Sequence, residues 1–491
     1  MTLDRPAAHT LIVDLPGPDL TPEQGRFLTR YRFGGVCLFA RNFSSPERTA
    51  RLIREIRDAL GHDALIATDQ EGGAVLRRLD VPMPPTPQAL GVIGSEEAAY
   101  EAGAVAARGL IELGINWNFA PSLDVNVNPL NPVIGERSFG TDPQQVARLG
   151  VAWARGSEAA GVMSAAKHFP GHGDTALDSH LALPTVDKPR DELERTEWLP
   201  FKAAVAAKLG SLMTAHIVYP ALDPHLPATL SRAALTELLR REWHYDGVVV
   251  TDATDMRAIA DAYPHGEAAP LALAAGADAV LSCGHGDLTT HAEHADALGR
   301  ALQSGQLASG RLAEAQRRLV SAAQRFPGTP RPYTAGQRTA DDLRAATWAR
   351  QSLEWVGTPP RLDPQGPVLL LATLTAEVGG PYGDFLGGEA LAAQLRRVFP
   401  QLWVALQDDD PQPGLDLLAR FPEAPVLLAT TGRWAVPQVL RRLAEDLRQR
   451  PALHLALWNP EHAAALALPA VITHGFRPAN LQALAEALGA G

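Results

Sequence analysis

Eight short apolar runs decide what this chain can fold into. They fall at 9–15, 33–39, 64–69, 115–120, 161–167, 211–215, 247–252 and 277–282, separated by amphipathic stretches such as 45–60, 95–113, 143–160, 190–208 and 231–243. A strand covered on both faces reads as a near-continuous apolar run, whereas a helix packed on one side repeats its apolar residues three and four apart. Strand–helix alternation repeated eight times predicts an α/β fold, a (β/α)8 barrel of the TIM type. A doubly wound open sheet satisfies the same alternation. The strand ends favour the barrel. Asp69 closes the third run, Asp124 follows the fourth, Lys167-His168 end the fifth, His216 follows the sixth and Asp252 ends the seventh. Closure would gather these groups around one mouth, while an open sheet would spread them along an edge.

After a helical stretch at 309–325 the chain enters Phe326-Pro327-Gly328-Thr329-Pro330-Arg331-Pro332, which reads as a linker. One more helix is expected over 339–356, then a second connection over 357–366. Candidate strands at 368–373, 402–406, 426–429, 453–457 and 470–473, with helices at 389–398 and 436–449, predict a smaller α/β sandwich domain. The expected organisation is a catalytic barrel over 1–325, a linker with one helix over 326–365 and a C-terminal α/β domain over 366–491. A formal charge of −11 argues against nucleic acid or an anionic membrane as partner. No apolar run is long enough to span a bilayer, and Met1-Thr2-Leu3-Asp4-Arg5-Pro6 lacks the basic-then-apolar pattern of a signal peptide. Two cysteines, Cys37 and Cys283, supply no disulfide framework, so a cytoplasmic location is expected by default. A monomer or weak homo-oligomer is expected.

The densest chemistry lies in residues 167–180. Lys167, His168, His172, Asp174, Asp178 and His180 sit on a stretch that Pro170, Gly171 and Gly173 keep from forming a regular helix. Such a loop at a strand's C-terminal end suits proton transfer. The chain uses forty Arg and only four Lys, so a Lys at 167 suggests that an ammonium is wanted there. Asp178 and His180, two apart in extended chain, project to one side, and the carboxylate can orient and charge the imidazole as a general acid/base. A hydrogen-bonded surface histidine is the plainer alternative. Asp252, at the end of a buried strand, is costly without partners or solvent, and reads either as a nucleophile facing the mouth or as a helix N-cap. Asp255, nearer the next helix, is the better cap. Asp69 with Arg77 beyond it, and Arg137, could grip sugar hydroxyls or form ordinary loop salt bridges. His168, His172, Asp174, Asp178 and His180 would also supply zinc ligands, but the first two flank Pro170-Gly171 and lack helical i, i+4 spacing. No metal and no cofactor are expected.

Together these motifs resemble glycoside hydrolase family 3, in its β-N-acetylhexosaminidase (β-N-acetylglucosaminidase) branch. The 167–180 loop, with Leu183-Pro184 behind it, resembles that branch's signature. Asp69-Gln70-Glu71-Gly72-Gly73, residues 131–139 and Val250-Thr251-Asp252-Ala253 resemble the family's other motifs, in the same order. The resemblance covers most of 10–285, and the C-terminal unit is similar to the family's second domain only in layout. It implies that Asp252 is the nucleophile and that His180, paired with Asp178, is the acid/base. It also implies that Asp69, Arg137, Lys167 and His168 hold the hydroxyls of a non-reducing N-acetylglucosamine, with Arg77 and His172 supporting the pocket. The implied activity is an exo-acting, retaining β-N-acetylhexosaminidase acting on N-acetylglucosamine-containing saccharides, either cell-wall fragments in peptidoglycan recycling or chitin oligosaccharides. A family 3 β-glucosidase or β-xylosidase is the nearest alternative. An N-acetylglucosaminide phosphorylase is another, since a neutral imidazole repels an incoming phosphate less than a carboxylate does. A sugar-binding protein on a dead barrel is the non-enzyme alternative, against which the presence of both Asp252 and His180 argues. The sequence departs from the family pattern at Ala74, where Arg is common, at Thr254, where Leu is usual, and at Cys283, where Met or Leu is usual.

Only a poor leaving group needs its oxygen protonated as the bond breaks. His180→Ala should therefore slow hydrolysis of natural N-acetylglucosaminides far more than that of aryl glycosides with good leaving groups. Steady-state kinetics on both substrate types checks this, and equal losses would contradict the acid role.

Overall fold

The computed structural model describes residues 6–129, 131–176, 182–373, 387–407, 410–433 and 435–489. Its first sheet contains β1 (Leu11–Asp14), β2 (Gly35–Cys37), β3 (Leu65–Thr68), β4 (Trp117–Asn118), β5 (Met163–Phe169), β6 (Ser211–Thr214), β7 (Val248–Val250) and β8 (Val280–Ser282). Consecutive strands pair in parallel, and β8 returns to β1 with Val280 beside Leu11. Between β7 and β8 the ladder continues through Thr251 N–H to the Ala279 carbonyl at 3.0 Å and Asp278 N–H to the Val249 carbonyl at 2.7 Å. The sheet thus closes on itself as an eight-stranded parallel barrel, and the open-sheet alternative falls away.

Side chains alternate between the two faces of each strand. Ile12, Cys37, Ala67, Ala165, Val250 and Leu281 pack inside the barrel, whereas Leu11, Val13, Val36, Ile66, Ala166 and Val249 pack outward beneath the helices. Two residues beyond that inward layer come Asp14, Phe39, Asp69, Lys167, Asp252 and Cys283. Alternation alone carries them into the mouth. The other end is plugged by helix Ser309–Arg325, whose Leu319, Ala322 and Ala323 join the interior cluster with Phe326. The helices begin and stop where the chain dictates. Ser45 caps Pro46–Leu60 through the Arg48 N–H, and Gly61, at φ +67°, turns the chain out again. The single helix expected over 190–208 is broken into Arg190–Arg195 and Trp198–Ala206. At the break, buried Glu197 turns to Lys188 at 2.6 Å, an ion pair that a continuous helix would forgo.

The second sheet contains β9 (Glu354–Val356), β10 (Val368–Ala372), β11 (Leu402–Leu406), β12 (Val426–Thr430), β13 (Ala452–Ala456) and β14 (Ala470–Ile472). The order is β9-β14-β13-β12-β10-β11, parallel except for β9 at one edge. Val368, Leu370 and Leu427 pack with helices Gly388–Leu395 and Pro478–Gly489 on one face; Leu369, Val426 and Leu428 pack with Gln412–Arg420 and Gln438–Leu447 on the other. The helix expected over 339–356 runs instead over Ala335–Gln351. A capping box between Thr334 and Gln337 starts it earlier, and Glu354-Trp355-Val356, suited to a pleated edge, pairs with β14. The proline-rich segment ahead of it is pinned to the barrel. The Asn116 side-chain amide donates to the Phe326 carbonyl at 2.7 Å, and Asp341 accepts both arms of Arg108 at 2.8 Å.

Asp278, fully buried where the chain enters β8, accepts from the Val249 N–H at 3.0 Å and pairs with Arg311 at 2.6 Å, Arg318 at 3.2 Å and Arg240. Asp278→Asn would leave three guanidinium groups around a neutral amide. Denaturant unfolding should show a loss of about 3–5 kcal/mol, the range for breaking a buried ion pair, and a loss below about 1 kcal/mol would contradict this account.

Candidate active site

The mouth of the barrel opens into a cavity of about 540 Å³. One wall is built by the loops after β3, β4 and β5. Beyond β3 the chain makes a tight turn, in which Val75 N–H meets the Gly72 carbonyl at 3.2 Å and Glu71 N–H meets the Val75 carbonyl at 3.0 Å. Gly72 and Gly73 adopt φ of +126° and +58°, and a Cβ on Gly72 would lie 2.2 Å from the Pro85 carbonyl oxygen. Only glycine fits there. The turn aims Asp69 and Glu71 inward.

Lys167 Nζ lies 2.7 Å from Asp69 Oδ1 and 2.6 Å from Glu71 Oε1. Arg137 donates to both oxygens of Glu71, through Nε at 2.9 Å and Nη2 at 2.8 Å. Arg77 stands 3.6 Å from Asp69. Burial opposes the charge on Glu71, yet Arg137 and Lys167 outweigh it and hold the carboxyl down at about 2. Burial likewise opposes the ammonium of Lys167, and Asp69 and Glu71 still raise its pKa. The wall is therefore a set of paired, permanent charges in a low-dielectric setting, presenting several fixed donors and acceptors at once.

A second buried carboxylate organises the histidines. Asp124 Oδ2 meets His168 Nδ1 at 2.7 Å, and its Oδ1 accepts the backbone N–H of His168 at 3.1 Å and of His172 at 2.6 Å. Burial works against this charge too, but His168 and His172 hold Asp124 well below the usual carboxylate range. His168 Nε2 lies 3.4 Å from Arg137 Nη2, which ties the two halves of the wall together. His172 Nδ1 meets Thr175 Oγ1 at 2.8 Å; burial, then the neighbouring His168, lower its pKa to about 4, so it is neutral at pH 7.

Asp252 lies across the cavity, half-buried, its Oδ1 accepting the Ala253 N–H at 2.8 Å. His216 Nε2 meets the Ala253 carbonyl at 2.9 Å and its Nδ1 meets Thr229 Oγ1 at 2.7 Å, so it braces the turn that carries Asp252. Asp255 is not a cap. Helix Arg257–Ala260 starts after Met256 with no side-chain cap, and Asp255 lines the cavity instead. A third side is formed by Asp14, Arg41 and His285. Arg41 pairs with Asp14 and lies 4.7 Å over the Phe39 ring. Asp14 is anchored in turn by the Gly286 N–H at 3.0 Å and His291 at 3.1 Å.

The structure thus brings Asp69, Arg77, Arg137, Lys167, His168, His172 and Asp252 into one cavity. Asp178 and His180 lie outside the described residues. Asp174 is engaged by Lys188 at 2.7 Å, and no His, Cys, Asp and Glu cluster among the described residues is arranged to hold a metal ion. Asp124 is one of the strand-end groups expected at the mouth, but neither it nor Glu71, which lies inside the Asp69–Gly73 motif, is given a role of its own by the sequence. The available signal was a carboxylate next to a strand end in a chain that also places Lys and Arg at the mouth.

Comparison with known proteins agrees with the fold. The family model described as glycosyl hydrolase family 3 N terminal domain matches residues 11–322. Beta-hexosaminidase A of Pseudoalteromonas piscicida is 38% identical over 334 residues, which cover 63% of this chain and 56% of that protein's length. The structure of a glycoside hydrolase family 3 beta-N-acetylglucosaminidase from Paenibacillus sp. str. FPU-7 is similar at a TM-score of 0.92 and 32% identity, covering 100% of this chain and 97% of the other. NagZ from Neisseria gonorrhoeae, solved with N-trifluoroacetyl-D-glucosamine, is 32% identical with a TM-score of 0.54, over 65% of this chain and 98% of its own.

Glu71 yields a pH dependence with a definite sign. Its carboxyl falls from about 4.3 in the unfolded chain to about 2 in the folded one, so it stabilises the fold above about pH 4.3, and that contribution is lost as the pH falls through about 2. Glu71→Gln should be less stable than the parent at pH 7, with the gap narrowing toward pH 2. Urea unfolding across this range checks it, and a gap independent of pH would contradict it.

Proposed function

The chain belongs to glycosyl hydrolase family 3, and from that premise we propose that it is an exo-acting, retaining β-N-acetylhexosaminidase. It would remove non-reducing terminal N-acetylglucosamine from cell-wall fragments or chitin oligosaccharides. The observation that carries this proposal is Asp252 standing across one cavity from the array of Asp69, Glu71, Arg137, Lys167 and His168. A sugar ring presents hydroxyls that each donate and accept, and a rigid set of carboxylates and guanidinium forks meets both needs. The activity named for the Paenibacillus protein, and the N-acyl glucosamine held by the Neisseria one, support the same substrate class.

In the first step the Asp252 carboxylate attacks the anomeric carbon while His180, oriented by Asp178, gives its proton to the leaving oxygen. In the second, neutral His180 takes a proton from water, which displaces Asp252 from the same carbon. Two displacements restore the original anomeric configuration. Most retaining glycosidases use two carboxylates about 5–5.5 Å apart, and here an imidazolium takes the place of the acid. We extend the proposal to a cytoplasmic role in peptidoglycan recycling, by a monomer or weak homo-oligomer; two cysteines, both buried and unbridged, are in keeping with a reducing compartment.

Asp252→Ala should lower kcat/KM on an aryl β-N-acetylglucosaminide by at least about a thousandfold, more than 4 kcal/mol of transition-state stabilisation at about 1.4 kcal/mol per tenfold, with the thermal unfolding curve little changed. Retained activity would overturn the nucleophile assignment. Faster turnover of the matching aryl β-glucoside by the parent protein would replace the substrate assignment.

A further inference from the structure

The C-terminal domain touches the barrel behind the loops that build the charged wall. Arg477, just ahead of helix Pro478–Gly489, reaches the turn after β3: its Nε donates to the Gly73 carbonyl at 2.7 Å and its Nη2 to the Ala74 carbonyl at 3.3 Å. Ala74, where the family commonly carries Arg, is buried and belongs to the apolar core of the C-terminal domain, alongside Leu455, Trp458 and Phe476. Further along the same loop, Thr86 Oγ1 donates to the His474 carbonyl at 2.7 Å. The Gly73 and Ala74 contacts fall two and three residues from Glu71, and Ala74 lies three residues from Arg77.

The loop after β4 is held in the same way. Glu136, adjacent to Arg137, is buried and lines one site with Arg433 of the C-terminal domain, whose Trp458 and Arg433 both act to keep its carboxyl charged. Burial pushes this carboxyl up to about 7 in spite of those partners and Arg137. A carboxyl so costly to ionise depends on the groups that face it. One domain therefore grips both loops, and the bidentate Glu71–Arg137 pair is the bond between those loops on the cavity side. The Neisseria relative is matched over 98% of its length by 65% of this chain, so the C-terminal sheet has no counterpart in that match.

We propose that the C-terminal domain sets the geometry of the barrel site, with Arg477 and Trp458 as positioning residues that keep Glu71 and Arg137 in register. The inference rests on the sugar-binding reading of that wall. A fork–fork pair tolerates little misalignment, and a shift of about 1 Å in a positioning element can cost a hundredfold in rate.

The test uses the full chain carrying Arg477→Ala or Trp458→Phe; the second keeps an aromatic ring in the core but removes the indole N–H together with part of the ring's bulk, so its unfolding curve is compared with the parent's. On an aryl β-N-acetylglucosaminide, each should raise KM about tenfold with kcat changed less than about threefold, because what is loosened is the grip on the sugar rather than the nucleophile. Arg477→Lys should recover part of the loss. Amide hydrogen exchange should quicken in peptides covering 69–77 and 131–137, with β5 unchanged. Unaltered KM and unaltered exchange at both loops would overturn the inference. Failure of the parent protein to hydrolyse the substrate would instead sink the proposed activity, and the exchange result, which needs no turnover, would then decide the positioning claim by itself.

Discussion

Everything at the mouth of this barrel depends on Glu71 being held between Arg137 and Lys167. A carboxylate buried this completely would abandon its charge without partners. Its two cations arrive from different strands, Lys167 from β5 and Arg137 from the loop after β4. Glu71 itself comes from the turn after β3. One residue therefore fastens three consecutive β–loop units, and Asp124 repeats the device by tying the Ser122 region to His168 and His172. Such a network contributes modestly to stability compared with an apolar core of the same volume. What it supplies is a rigid, polar surface, a setting in which sugar hydroxyls can be oriented before any bond is broken.

The barrel and the second domain divide the labour physically. The barrel's own alternation of inward and outward side chains delivers Asp69, Lys167 and Asp252 to the mouth. It does not by itself fix the loops between them. Those loops are gripped from outside, by Arg477 on the Gly73 and Ala74 carbonyls and by Trp458 beside Glu136. A domain none of whose described residues lines the cavity can thus still be part of how the site is held.

Much of this was legible in the chain itself. Eight apolar runs became eight strands, and polar residues at their ends came together because a strand has a period of two. Where sequence reasoning fell short, the reasons are specific. His216 and Asp252 look alike as polar residues after buried runs, but one turned back to a backbone carbonyl and the other faces the cavity; that difference lies in the next loop's path. Glu71 and Arg137 are 66 residues apart, so their pairing is visible only after closure. Glu354-Trp355-Val356 continued a helical pattern on paper, yet an unpaired edge on β14 drew them into a sheet. Asp255 occupied the right position for a cap, but the short helix after Met256 begins without one.

The most direct test of the account is to trap the covalent intermediate. Incubation with an activated, ring-fluorinated N-acetylglucosaminyl fluoride slows the second displacement, and peptide mass spectrometry then locates the sugar. Attachment to the carboxylate of Asp252, with enzyme activity lost in step with labelling, is the result expected. Labelling of another residue, or release of product with inverted anomeric configuration from an unlabelled protein, would contradict the account.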